Sequence, residues 1–181
     1  MSEHRTAAWL SALLQRDTVR TLSMTDPWGT LVALGAKRIE TRSWPTPHSG
    51  PLAIHVAKSL PTWAEACCSE PPFRQALEAG GYRWQPDTGH NPWGLPLGHI
   101  VAVVWLDEVQ RITSAFQVSE PERSFGLFTP GRFAWHFSQV YRLTTPIPAR
   151  GSLGVWEWQP PARFWREIQA TYDQIREAVQ R

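Results

Sequence analysis

The stretch from Gly35 to Trp44 carries charged side chains in the pattern G-x-K-x-x-E-x-R-x-W. Lys37 could pair with a phosphate as a compact point charge, or act as a base or nucleophile if it is partly desolvated. Glu40 lies between Arg38 and Arg42 on one face of a predicted strand. There it could orient an arginine, accept a hydrogen bond from a base or move a proton. Arg42 could hold a phosphate through two hydrogen bonds. Solvated side chains and ordinary ion pairs are the alternatives.

Other residues could extend a binding surface around this stretch. Trp28 and Trp44 flank it, and each could stack on a base, although Trp28 also fits the buried stripe of a helix. His55 points away from the apolar side of its strand, where it could contact a phosphate or lie buried with a hydrogen-bond partner. The remaining candidates for polar or phosphate contacts are Ser43, His48, Lys58, Arg132 and Arg150.

One helix and two strands must position these residues. The helix has Asp26 as a candidate N-cap, Pro27 at its first position and Gly35 at its end. A strand over Lys37–Trp44 is predicted next, and after a proline-rich turn a second strand over Leu52–Ala57.

The rest of the chain predicts an α+β domain. Helices are expected over Thr6–Gln15 and after residue 160, where apolar residues recur every three or four positions. Further strands are expected over Ile100–Leu106, Phe133–Arg142 and Leu153–Trp158. The segment from about 60 to 97 is broken by proline and glycine pairs, and it is expected to form short helices in an insertion or covering flap.

Composition restricts the class of protein. The chain has 181 residues, 42% of them hydrophobic and 19% charged, which suits one folded domain and excludes a wholly disordered chain. No apolar run approaches the ~20 residues of a membrane helix. The two cysteines, Cys67 and Cys68, are neighbours and cannot form an ordinary structural disulfide. A reducing, cytoplasmic setting is therefore expected, with no metal site and no cofactor, because no metal-ligand spacing or glycine-rich phosphate loop is present.

Charge is unevenly distributed along the chain. Residues 1–60 hold seven basic and four acidic side chains, residues 61–130 hold four and eight, and residues 131–181 hold seven and four. A fold that brings the two ends together would present a basic face; charges scattered over the surface are the alternative.

Asp26 to Lys58 resembles the signature of the ASCH domain, a member of the PUA-like superfamily. The shared features are a Pro-Trp pair, an apolar helix, the G-x-K-x-x-E-x-R-x-W core, a turn that ends in glycine, and a strand that ends in lysine. Gly98–Val109 is similar to the family's central strand, and Pro146–Trp156 to its closing segment. Ser49 is a departure, because relatives often have arginine before the loop glycine. A phosphate contact of that loop is then missing or supplied elsewhere, by Arg38 or Arg150.

The resemblance implies a fold, namely a small, mixed, PUA-like β-barrel with flanking helices. We expect a single domain over residues 1–181, with a core over about 22–158, helical extensions at both ends and an insertion over about 60–97.

The resemblance also implies a class of function, which is binding of nucleic acid, RNA more than DNA, in a basic cleft built around the motif. The alternatives are a metal-independent hydrolase in the same cleft, either a ribonuclease or an amidohydrolase on a modified nucleoside, and a protein-interaction adaptor. In the enzyme, Lys37 would be the base or nucleophile and Glu40 would assist. In the adaptor, the amphipathic terminal helices would contact a protein partner. No membrane partner is expected.

Overall fold

The computed structural model describes residues 3–86 and 89–179. In chain order the helices and strands are α1 (Glu3–Leu14), β1 (Val19–Met24), α2 (Trp28–Ala33), β2 (Ile39–Arg42), β3 (Gly50–Val56), α3 (Thr62–Ser69), α4 (Pro71–Ala79), β4 (His99–Arg111), a 3-10 turn (Glu122–Phe125), β5 (Phe133–Pro148), β6 (Val155–Trp158) and α5 (Ala162–Val179). None of the helices within these described ranges is long and apolar enough to cross a membrane.

The six strands form one mixed sheet in the order β2-β5-β4-β3-β1-β6. β1 and β3 run parallel, and the other neighbouring pairs are antiparallel. The predicted α+β class is confirmed. The predicted barrel is not confirmed, because β2 and β6 remain the two edges of an open sheet among the described residues. The sheet nevertheless curls, since Arg42 of β2 donates from Nη2 to the backbone oxygen of Ser23 in β1 over 3.0 Å.

The apolar run of β4 explains its central position. Val101, Val104 and Leu106 pack with α2 on one face of the sheet, whereas Ile100 and Val103 pack on the other. A strand buried on both faces needs a continuous apolar sequence rather than an alternating one. The prediction for this strand is therefore confirmed in type, although β4 continues past Leu106 to Arg111.

The terminal helices cover the second face. Trp9, Leu10 and Leu13 of α1 share a buried cluster with Phe164 and Ile168 of α5 and with the sheet. The apolar sides that could have contacted a protein partner are thus packed within the domain.

The side chain of Asp26 forms hydrogen bonds at the start of α2. The helix begins at Trp28, two residues after Asp26. The fully buried Asp26 carboxylate accepts hydrogen bonds from the Thr30 amide over 2.8 Å and from the Thr30 hydroxyl over 2.7 Å. Burial raises the pKa of Asp26 to about 6, and these two hydrogen bonds only partly oppose that shift.

Candidate functional site

A cavity of about 630 Å³, called here the β1–β2 cavity, opens between the end of β1 and the edge strand β2. Its walls are residues 23–25, residues 40–44, residues 124–127, and the side chains of Trp28, Trp63, Cys67, Phe73 and Arg132. Small-molecule sites usually have roughly 300–1,000 Å³, so the cavity has the volume for one nucleobase.

The charged residues of the motif form a connected series beside this cavity. Lys37 is 0% exposed, and its ammonium donates to the backbone oxygens of Ile39 and, over 2.8 Å, of Phe125. One carboxylate oxygen of Glu40 lies 3.4 Å from Lys37 Nζ, and the other lies 2.9 Å from Arg42 Nε in an ion pair without hydrogen-bond alignment. The three donors of Lys37 therefore face three acceptors of the protein, while Glu40 and Arg42 line the cavity.

The segment that contains the 3-10 turn forms one wall of the cavity, and it is fixed to β2. The Glu122 carboxylate accepts hydrogen bonds from the amides of Arg38 over 2.7 Å and Ile39 over 3.0 Å. The Leu127 amide donates to the hydroxyl of Thr41 over 3.1 Å. These bonds hold residues 122–127 against β2, because they satisfy backbone groups at the start of the strand.

Aromatic side chains provide the apolar part of the cavity. The rings of Trp28 and Trp63 lie 5.6 Å apart at 39°, and Phe73 meets Trp28 edge-on at 5.7 Å. Trp44 packs edge-on against the buried Trp135 at 4.9 Å. Trp63 is 62% exposed, so much of its ring surface is open to a ligand.

Arg132 adds a second guanidinium to the cavity. Its Nη2 donates to the backbone oxygen of Thr41 over 2.9 Å, which holds the side chain against β2. Its Nε is buried and has no hydrogen-bond partner among the described residues. Arg42 pairs with Glu40, the carboxylate that lines this cavity, and Arg132 adds a positive charge that has no ion-pair partner among the described residues.

Comparison with known proteins identifies the family. The sequence profile of the ASCH domain matches residues 22–147. The chain belongs to the ASCH domain family. Over 136 residues it is 42% identical to mouse Activating signal cointegrator 1 and 40% identical to the human protein. The alignments cover 75% of this chain and 22% of each relative, so the chain spans about a fifth of the length of these curated relatives. A crystal structure of ASCH from Zymomonas mobilis aligns with a TM-score of 0.43 and 11% identity over 84% of this chain and 94% of that one.

Two predicted binding residues of this ASCH domain, Arg38 and His48, line neither the β1–β2 cavity nor a second cavity on the far side of Ser23. Arg38 donates to the backbone oxygens of Gly35 and Ser138, each over 3.2 Å. His48 places Nε2 at 2.9 Å from the backbone oxygen of Pro51, and burial lowers its pKa. Both side chains hold backbone segments in place.

Three other predicted residues, His55, Lys58 and Arg150, line a second cavity of about 940 Å³. Ser23 lines both cavities. The structure therefore divides the predicted site. Glu40, Arg42, Ser43, Trp44 and Arg132 line one cavity, His55, Lys58 and Arg150 line the other, and Lys37 lies buried beside the first.

The sequence pattern did not indicate Trp63 or the wall at residues 124–127 as parts of the site. Trp63 lies on α3, one of the short helices expected within about 60–97, and Ala64 and Cys68 are the buried residues of this helix. Helical spacing from these two small residues places Trp63 and Cys67 together on a neighbouring side, and that spacing was the available signal. Nothing in the sequence between β4 and β5 indicated that this segment returns to β2.

Proposed function

We propose that this ASCH domain binds single-stranded nucleic acid, with RNA ahead of DNA, and holds one unstacked base in the β1–β2 cavity. The observation that carries the proposal is the exposed ring of Trp63, which packs against Trp28 in the same cavity as Arg42 and Arg132. A base stacked on an aromatic side chain gains ~1–3 kcal/mol with little dependence on its identity. Arginine is suited to phosphate oxygens. Membership of the ASCH family supports a nucleic-acid-related role, and we favour RNA over DNA because of the resemblance.

Each residue of the motif has a proposed part in this binding. Glu40 faces the cavity and accepts hydrogen bonds from a base amino group, while Arg42 and Arg132 contact the adjoining phosphates. Lys37 is a positioning residue, because its ammonium contacts the Glu40 carboxylate and two backbone oxygens rather than the cavity. Ser43 and Trp44 complete the wall on the β2 side.

The burial and the contacts of Lys37 favour a binding function over the hydrolase. A base or nucleophile must reach the reacting atom, and Lys37 is fully buried with three acceptors around its ammonium. The α3–α4 segment would act as the proposed flap, since Trp63 and Phe73 come from it. A reducing, cytoplasmic compartment fits the free cysteines, of which Cys68 is buried and has a pKa raised to about 12 by burial.

The test is a titration of the wild-type chain with fluorescent single-stranded RNA, matched single-stranded DNA and the RNA duplex, at low and moderate salt. The proposal predicts that single strands bind, that affinity falls as salt rises, and that the product remains at full length on a gel. Preference for the duplex, or affinity independent of salt, would contradict it. RNA shortened in the presence of a chelator would instead support the hydrolase.

A further inference from the structure

The second cavity, called here the Arg150 cavity, differs from the β1–β2 cavity in the charged side chains that line it and in whether these form ion pairs. Lys58, His99 and Arg150 line it, and none of the described residues in its wall is acidic. Within residues 3–86 and 89–179, neither Lys58 nor Arg150 forms an ion pair, and both side chains are exposed. Two unpaired cations over a concave surface attract an anion, because protein walls concentrate their field.

Hydrogen bonds from Ala149, through His55, to Ser23 hold the loop that carries Arg150. The Ala149 amide donates to the Gly98 oxygen over 3.0 Å, and the Ala149 oxygen lies 3.1 Å from His55 Nε2. Nε2 must be protonated to donate there, so His55 Nδ1 accepts from the Ser23 hydroxyl over 3.1 Å in the neutral ring. Burial lowers the pKa of His55, and the hydrogen bond to Ala149 only partly opposes that shift. His55 is therefore a positioning residue for this loop.

Gly151 packs closely against His55 and Ser23 and so also holds this loop in place. A Cβ atom at that position would overlap the His55 ring and would lie 3.0 Å from Ser23 Oγ. The backbone on both sides of Arg150 is thus held, at Ala149 by hydrogen bonds and at Gly151 by close packing. A loop held at two neighbouring points presents its arginine in one place, which lowers the entropy cost of binding.

The two cavities meet at Ser23. Its side chain lies in the series that fixes the Arg150 loop, and its backbone oxygen accepts the hydrogen bond from Arg42 of the other cavity. Leu153, 96% exposed, adds an apolar surface to the rim of the Arg150 cavity. A single strand with one base in the β1–β2 cavity would therefore pass Ser23 and bring its next phosphates to Lys58 and Arg150.

We propose that the Arg150 cavity binds the phosphodiester backbone of the nucleotides that flank the stacked base, with Lys58 and Arg150 as its ligand-contacting cations. The inference rests on the proposed binding of single strands, and it extends the binding surface to two cavities. It assigns the phosphate contacts missing from the Ser49 turn to a loop some hundred residues further along the chain.

The test compares Arg150→Gln, Lys58→Gln and the double variant with the wild type, using a ten-residue oligouridine as the probe. Arg166→Gln is the control, because Arg166 is exposed on α5 and outside both cavities. Each single variant is expected to lower affinity about fivefold at 0.1 M salt and to reduce the slope of log K against log salt by about 0.7. The double variant should lose both contacts, and the control none.

A Trp63→Ala variant separates this inference from the proposed function. If Trp63→Ala weakens oligouridine binding while both cation variants keep the affinity and salt slope of the wild type, the Arg150 cavity is not part of the site and the proposed function stands. If the wild type binds no single strand, both proposals fail together. If Arg166→Gln weakens binding as much as Arg150→Gln does, the attraction is a general surface charge and the assignment to the cavity is overturned.

Discussion

Replacing Lys37 with methionine tests whether this lysine supports the site from within the fold. Methionine has a similar length without the charge. The change leaves the backbone oxygens of Ile39 and Phe125 without their donor and leaves Glu40 with Arg42 as its ion-pair partner. The 3-10 segment also loses one of the hydrogen bonds that hold it beside β2, while those of Glu122 and Leu127 remain.

The expected loss of stability follows from the burial of these groups. Removing one partner of a buried ion pair costs about 3–5 kcal/mol. Glu40 keeps Arg42 at 2.9 Å, and Arg42 is only partly buried, so the lower end of that range applies. At about 2–4 °C per kcal/mol for a chain of this size, a loss of about 3 kcal/mol lowers Tm by about 6–12 °C.

The assay is thermal and urea unfolding of the wild type, Lys37→Met and Lys58→Met. Lys58 is exposed and unpaired among the described residues, so its replacement should stay within about 0.5 kcal/mol. Adding Glu40→Gln to Lys37→Met should recover part of the loss, because it removes the poorly compensated carboxylate. At temperatures below the Tm of both the wild type and Lys37→Met, the salt slope of RNA binding by Lys37→Met should match that of the wild type. A Lys37→Met chain with unchanged Tm and a reduced salt slope would refute the positioning role and return Lys37 to the ligand.

Three further changes test other parts of the structure. Gly151→Ala places a methyl group against His55 and should cost about 1–3 kcal/mol in urea unfolding, with weaker oligouridine binding, whereas Ser152→Ala should leave the stability unchanged. The pKa of Asp26 is about 6 in the fold against 3.8, so the folded state holds this proton more tightly. Wild-type stability should therefore fall by about 2 kcal/mol between pH 4 and pH 7 relative to Asp26→Asn, and parallel pH curves would contradict this. Glu122→Ala leaves the backbone amides of Arg38 and Ile39 without acceptors and should cost about 2–5 kcal/mol, measured by Tm; an unchanged Tm would show that residues 122–127 do not depend on this carboxylate.

Local pattern was sufficient for most elements of the fold. The helix after Asp26 and the strands on either side of the Pro-rich turn follow from caps, glycine and alternation, and the structure has them as α2, β2 and β3. β1 was not predicted because Val19–Met24 carries three polar residues without strict alternation. It is a strand because β3 and β6 pair with it on its two sides, and such long-range pairing leaves no local signal.

The residue types of the candidate site could be predicted from the sequence, but the division of these residues between two cavities could not. The sequence cannot show that Lys37 turns inward, because its acceptor at Phe125 is 88 residues away. It also cannot separate His55 and Arg150 from Arg42, since the loop before β6 and the curl of the sheet decide which cavity each residue lines. Trp63 was not predicted as a site residue because it lies outside the motif, although its exposure makes it the best stacking surface in the β1–β2 cavity.

The most direct test of the central claim compares Trp63→Ala with Trp84→Ala in binding single-stranded RNA. Both tryptophans are exposed, at 62% and 55%, and only Trp63 lines the β1–β2 cavity. Loss of a stacked base costs about 1–3 kcal/mol, so Trp63→Ala should weaken binding by about 5- to 150-fold with a nearly unchanged salt slope, while Trp84→Ala binds as the wild type does. Equal affinities for the two variants would contradict base stacking in this cavity.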